Sequence, residues 1–186
     1  MYRPGLFLGL SFALIACAGA SEISGLKAPQ EAAAATPAPL FSADAPLTGT
    51  TVTGDRLALA PQPGLQDLDA WAAAGVTTVV NMRSRQETAD LGFDERAEVE
   101  ARGMTYVEIP MGGQDGVSPD IVEALGLTLD TAEVKVVLHC RSGTRAAHAY
   151  GALKVKRGEL AREDLDQRLG WTAPLSPATL DALLTE

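Results

Sequence analysis

Cysteine is nearly absent from this chain, with two in 186 residues, Cys17 and Cys140. That excludes a disulfide framework. Histidine is equally scarce, only His139 and His148. Two histidines and one thiol in the mature chain make no metal-ligand set, so no metal or other cofactor is expected. Positive charge is also in short supply. Fifteen Lys and Arg stand against 24 Asp and Glu, giving a net charge of −9 and a pI near 4.7. A nucleic-acid partner wants a basic footprint, which is missing here.

The apolar run Leu6 to Ala16, preceded by Arg3, has the length of a signal-peptide core and is too short to span a bilayer. Residues 1–20 therefore read as a signal peptide. Leu14-Ile15-Ala16-Cys17 resembles a bacterial lipobox, which makes Cys17 the expected lipidation site, whereas Ala18-Gly19-Ala20 offers an ordinary cleavage site. A buried N-terminal helix with an incidental cysteine is the third reading. The first two place the protein in the bacterial cell envelope, periplasmic and either lipid-anchored or soluble. Residues 21–46 are rich in Ala and Pro and nearly free of large apolar side chains, the composition of a flexible tether. Residues 47–186 remain as one domain.

Within that domain strands and helices alternate. Val52 to Ala60 reads as a hairpin or two short strands. Leu65, Leu68, Trp71 and Ala72 keep helical spacing up to Gly75, and Val76 to Asn81 is a β-branched strand. A helix near Asp94 to Arg102 stops at Gly103, and Met104 to Pro110 follows as a strand. Ser118-Pro119-Asp120 opens a helix whose apolar stripe is Ile121, Val122, Leu125 and Leu129. Val134 to Leu138 is a continuous apolar strand of the kind buried on both faces. Ala146 to Val155, Glu159 to Leu169 and Ser176 to Leu184 close the chain as helices. The pattern predicts a three-layer α/β sandwich with a mostly parallel central sheet flanked by helices, and a site at the carboxyl ends of the strands.

His139-Cys140-Arg141-Ser142-Gly143-Thr144-Arg145 lies where such a strand gives way to a helix. Free backbone N–H groups and the helix dipole at that junction favour a thiolate, which makes Cys140 the expected nucleophile. An unpaired cysteine in an oxidising compartment needs chemistry or deep burial to explain it, and the polar loop argues for chemistry. Gly143 permits a tight turn. Ser142 and Thr144 are placed to donate to the sulfur or to cap the helix. Arg141 and Arg145 supply positive charge for an anion. His139 is read as orienting the loop through a backbone hydrogen bond, with a base role as the alternative. His148 is read as a surface or packing side chain.

The loop resembles the active loops of the cysteine-dependent phosphatase and rhodanese groups. With Asn81-Met82-Arg83, Ile109-Pro110 and Gly113 to Asp120 in order, residues 50–152 look like the beta-lactamase hydrolase-like, phosphatase-like domain family, also described as sulfurtransferases. The resemblance implies a dual-specificity-phosphatase-like fold. It also gives Asn81 and Arg83 a part in holding the loop or binding substrate. Four residues separate Cys140 from Arg145, one fewer than in tyrosine and dual-specificity phosphatases and the same number as in rhodanese-type enzymes. On that spacing the expected activity is sulfur transfer through a Cys140 persulfide, taking sulfur from a small anionic donor and passing it to a thiol acceptor. The alternative is a phosphatase acting through a phosphocysteine, with Asp115 protonating the leaving oxygen. A third reading is a non-enzymatic redox or anion-binding module.

Overall fold

The computed structural model describes residues 51–53, 56–132 and 134–185. The expected signal peptide, the Cys17 lipidation site and the tether lie outside the described residues. Five strands are described: β1 (Thr51–Val52), β2 (Leu57–Ala60), β3 (Thr78–Asn81), β4 (Thr105–Glu108) and β5 (Val136–His139). They form one sheet in the order β1-β2-β5-β3-β4, antiparallel only between β1 and β2. The strand that delivers Cys140 is therefore central. Its register pairs His139 with Ala60 on one side and with Asn81 on the other. Those pairings bring the ends of β2, β3 and β5 level with one another.

Helices cover both faces. They are α1 (Leu65–Ala73), α2 (Arg85–Ala89), α3 (Glu95–Ala101), α4 (Pro119–Thr131), α5 (Thr144–Lys156), α6 (Leu165–Arg168) and α7 (Pro177–Leu184). Because side chains alternate along a strand, β2, β3 and β5 each feed two separate cores. Leu57, Leu59, Val80, Leu138 and Cys140 pack with Ile121, Val122 and Leu125 of α4, with α5 and with Leu180 and Leu183 of α7. Ala58, Ala60, Val79 and Val137 face the other way, onto Leu68 and Trp71 of α1 and Val99 of α3. The three-layer α/β sandwich with a mostly parallel sheet is the observed fold.

Two local expectations need correction. The helix expected over Glu159 to Leu169 is broken into a 3-10 turn at Arg162–Asp164 and the single turn of α6. Ala161 is extended (φ −75°, ψ 149°), so the stretch after α5 cannot continue as helix. Its buried apolar anchors, Leu165 and Leu169, lie only at the far end. Conversely, α2 forms where no helix was expected. Its start is a capping box: the Ser84 hydroxyl accepts from the Glu87 N–H at 3.3 Å, and the Glu87 carboxylate accepts from the Ser84 N–H at 3.0 Å.

Candidate active site

The Cys140 loop bridges β5 and α5. Gly143 takes φ +89° and ψ −19° at the N-terminus of α5, a left-handed turn that an L side chain resists. A Cβ there would also stand 2.4 Å from Trp171 Cη2 and 3.2 Å from the Ala60 carbonyl oxygen, so glycine is required twice over. The turn directs the Gly143 N–H at Cys140 Sγ, 3.1 Å away. The loop is held from the side by the Gln62 N–H, which donates to the Arg141 carbonyl at 3.2 Å.

Cys140 itself is 1% exposed. The expectation that a polar loop would leave the sulfur open is corrected. The sulfur points inward beneath the loop backbone and meets the apolar core formed by β5, α4 and α5. Burial and function are not alternatives here, because the same sulfur accepts the Gly143 N–H.

Arg145 lies in the first turn of α5 and is clamped. Its Nη1 and Nη2 donate to the two carboxylate oxygens of Glu87 at 2.6 and 2.9 Å, and Nη1 also donates to the Met111 carbonyl at 2.7 Å. This bidentate pairing fixes the plane of the guanidinium. The hydrogen bond from Arg145 is the main reason that the Glu87 carboxyl is pulled down to about 2, well below the ordinary carboxylate range. For Arg145, burial pulls downward, but Glu87 and the Cys140 sulfur outweigh it and raise the guanidinium further. Glu87 was missed from sequence, although Ser84-x-x-Glu87 carries the capping-box signature that places it.

The other expected residues divide. Arg141 and Ser142 are exposed at the rim, and Ser142 Oγ meets Thr144 Oγ1 at 3.2 Å. Neither hydroxyl caps α5, whose N-terminus has no side-chain cap. Asn81 is 1% exposed and faces the opposite core. Its amide donates toward Thr88, Glu95 and Tyr106, and its carbonyl accepts from the Arg83 N–H at 2.8 Å. It holds the β3 end together. Arg83 reaches Gln62 Oε1 at 2.9 Å and the Glu87 carbonyl at 3.2 Å, bridging the β2 end to α2. Asp115 sits in a 3-10 turn, Gly113–Asp115. Its carboxylate accepts from the Arg85 N–H at 2.8 Å and pairs with the Arg85 guanidinium, so it is anchored to the start of α2.

His139 points away from the sulfur. Neither of its ring nitrogens has a hydrogen-bond partner, and Nε2 stands 3.5 Å from Glu95 Oε1. The Cys140 backbone still interacts with the ring and favours its charged form, so the expected tie to the loop is a weak contact and not a well-formed hydrogen bond. Burial, with the charge of Arg83, pushes the imidazole down to about 3, which keeps it neutral. His148, read from sequence as a surface or packing side chain, is buried. Nε2 accepts from the Ser176 N–H at 2.7 Å, so Nδ1 carries the proton and donates to the Thr144 carbonyl at 2.7 Å. Among the described residues no cluster of His, Cys, Asp and Glu has metal-binding geometry.

A buried sulfur under a glycine turn, facing an arginine clamped by a carboxylate, can bind and attack an anion. Known proteins with this arrangement of chain are at hand. A beta-lactamase hydrolase-like protein from Xylella fastidiosa is 31% identical over 114 residues, covering 60% of this chain and 26% of that protein. The chain thus spans about a quarter of the length of the curated relatives it matches. A candidate phosphatase from Shewanella putrefaciens CN-32 superposes with a TM-score of 0.61 at 27% identity, covering 74% of this chain and 89% of that one. Kinase-associated phosphatase superposes with a TM-score of 0.61 at 14% identity, covering 73% and 90% of the two chains, a likeness of fold alone. The family model for the phosphatase-like domain of beta-lactamase hydrolase-like proteins matches residues 49–155, and the chain belongs to that family.

Proposed function

We propose that this domain is a cysteine-dependent phosphatase acting on phosphate monoesters. The Cys140 thiolate attacks phosphorus, an S–P bond forms as the P–O bond to the leaving group breaks, and the leaving group departs as an anion that takes its proton from solvent. Water then attacks phosphorus, the S–P bond breaks, and inorganic phosphate leaves with the thiolate regenerated and the water's proton released to solvent. The observation that carries this reading is the pairing of the Gly143 N–H, 3.1 Å from the sulfur, with an arginine held bidentate by Glu87. Both are fixed before substrate arrives, so they can stabilise transferring charge without reorganising. The similarity to phosphatases supports it further.

This reading replaces sulfur transfer as the preferred one. The comparisons support the phosphatase alternative and lend the persulfide route nothing. One observation still favours sulfur transfer, the short spacing between Cys140 and Arg145. Asp115, engaged by α2, is not needed when the leaving group departs as a stable anion. The deciding experiment incubates the full chain with p-nitrophenyl phosphate and, separately, with thiosulfate and cyanide. Release of p-nitrophenol that vanishes in Cys140→Ser is the expected result. Thiocyanate formation without p-nitrophenol release overturns the proposal in favour of sulfur transfer. No turnover of either compound, with an oxidisable Cys140, points to a sensor and overturns it equally.

A further inference from the structure

The family match ends at residue 155, yet the fold continues and returns to the site. After α5 the chain runs through the 3-10 turn, α6 and a loop to α7. Leu165, Leu169 and Leu175 anchor this segment in the core shared with Cys140. The Asp166 carboxylate accepts from the Leu175 N–H at 3.0 Å and closes the loop between them. The Ser176 N–H donates to His148 on α5, and Arg162 bonds to Asp181 at 2.6 Å and to the Pro177 carbonyl at 2.8 Å. Trp171 sits on this closed loop.

Its indole edge lies against Gly143. The position a Cβ would take on Gly143 is 2.4 Å from Cη2 and 3.0 Å from Cζ3 of Trp171, so the ring fills the space a side chain would occupy. The indole Nε1 is buried without a hydrogen-bond partner, so the ring is not anchored through its polar atom. What fixes it is packing against the core and the glycine turn. Arg145, Glu87 and Met111 stand on the β3 and β4 side of the loop, while Trp171 and the Ala60 carbonyl close in from the β2 side. The loop is thus clamped by charge on one flank and by an aromatic ring on the other.

We propose that Trp171 is a positioning residue for the Cys140 loop, holding the left-handed Gly143 turn so that its N–H stays aimed at the sulfur and at the anion that meets it. The proposal rests on Cys140 being the nucleophile of an anion-binding loop, as in the phosphatase reading. Losing the ring lets the turn relax, and a misplacement of about 1 Å at such a site costs up to about 100-fold in rate.

The test uses the full chain with Trp171→Ala and Trp171→Phe. Two readouts are taken: turnover of p-nitrophenyl phosphate, and the rate of Cys140 alkylation by iodoacetate relative to neutral iodoacetamide. Trp171→Ala is expected to lower kcat about tenfold or more and to lower the iodoacetate preference, with Trp171→Phe recovering most of both. Wild-type kcat and wild-type preference in Trp171→Ala overturn the proposal. If the wild type turns over no phosphate ester but the alkylation preference still falls in Trp171→Ala, the phosphatase reading fails and the brace stands. Should Trp171→Ala not fold, Trp171→Leu takes its place with the same two readouts: lowered kcat and a lowered iodoacetate preference support the brace, and wild-type values of both overturn it.

Discussion

The two faces of the sheet use the same strands for different ends. On the α4, α5 and α7 side, Leu59, Val80, Leu138 and the sulfur of Cys140 form an apolar bed beneath the loop. On the α1 and α3 side, the last residues of β3 and β5 turn polar: Asn81 and His139 are buried beside Glu95 and Tyr106. One face supports the loop by packing and the other by hydrogen bonds. Packing has no direction, so it tolerates a loop that must admit a ligand. Hydrogen bonds are directional, and here they pin the β3 end from which Arg83 departs. His139, the last residue of β5, and Cys140, the first after it, therefore belong to different chemistry although one peptide bond joins them.

The largest expected effect tests the apolar face. Leu138 is fully buried directly below the loop. Leu138→Ala should lower unfolding free energy by about 2–5 kcal/mol, read from urea denaturation. A loss below about 1 kcal/mol would mean that the bed collapses around the gap and is not what supports the loop.

The polar face should respond next. Glu95 Oε1 accepts from Gln62 at 2.6 Å, and Oε2 accepts from Asn81 and Tyr106, each at 3.0 Å. Burial raises its carboxyl above the ordinary range against the pull of those donors. Glu95→Leu removes the acceptor and strands the donors, with an expected cost of about 1–3 kcal/mol. Glu95→Gln keeps the shape and should recover most of it. A Glu95→Leu variant as stable as the wild type would show that the network holds nothing.

How much of this was legible in the sequence follows the same division. β5 and the Cys140 loop could be read because a β-branched run, a glycine and a first-turn arginine each leave a local signature. The apolar stripe of α4 was equally visible, and Ile121, Val122 and Leu125 are buried as it implied. Asn81 and Arg83 were picked out with two roles open, and the hydrogen bonds here are structural ones. Glu87, Glu95 and Gln62 were passed over because their partners are distant in sequence, so only the folded register pairs them. Trp171 left no signal at all, since nothing local says that a loop after α6 returns to Gly143. The depth of Cys140 was misjudged for a related reason: side-chain polarity of a loop does not report which way its sulfur points.

The smallest expected effect separates the faces by acidity. His139 is fully buried and neutral, with its imidazole pushed down to about 3, whereas the unfolded chain titrates it near the ordinary 6.5. Between those values the unfolded state binds a proton that the folded state refuses, so folding loses stability as pH falls from about 6.5 toward 3. From pH 7 to pH 5 this amounts to about 2 kcal/mol. Glu95 works in the opposite direction, because a raised carboxyl weakens folding as pH rises above its unfolded value. Arg83, Tyr106 and Glu108 are the other titratable groups that the structure brings to bear on His139 and Glu95. His139→Leu deletes two unpartnered ring nitrogens along with the titration. Urea denaturation at pH 7 and pH 5 should therefore show a smaller fall in stability for His139→Leu than for the wild type. Equal falls in the two proteins would mean that the imidazole gains a proton in the folded state, using Glu95 Oε1 as its partner, and that the polar face is an ion pair waiting to form.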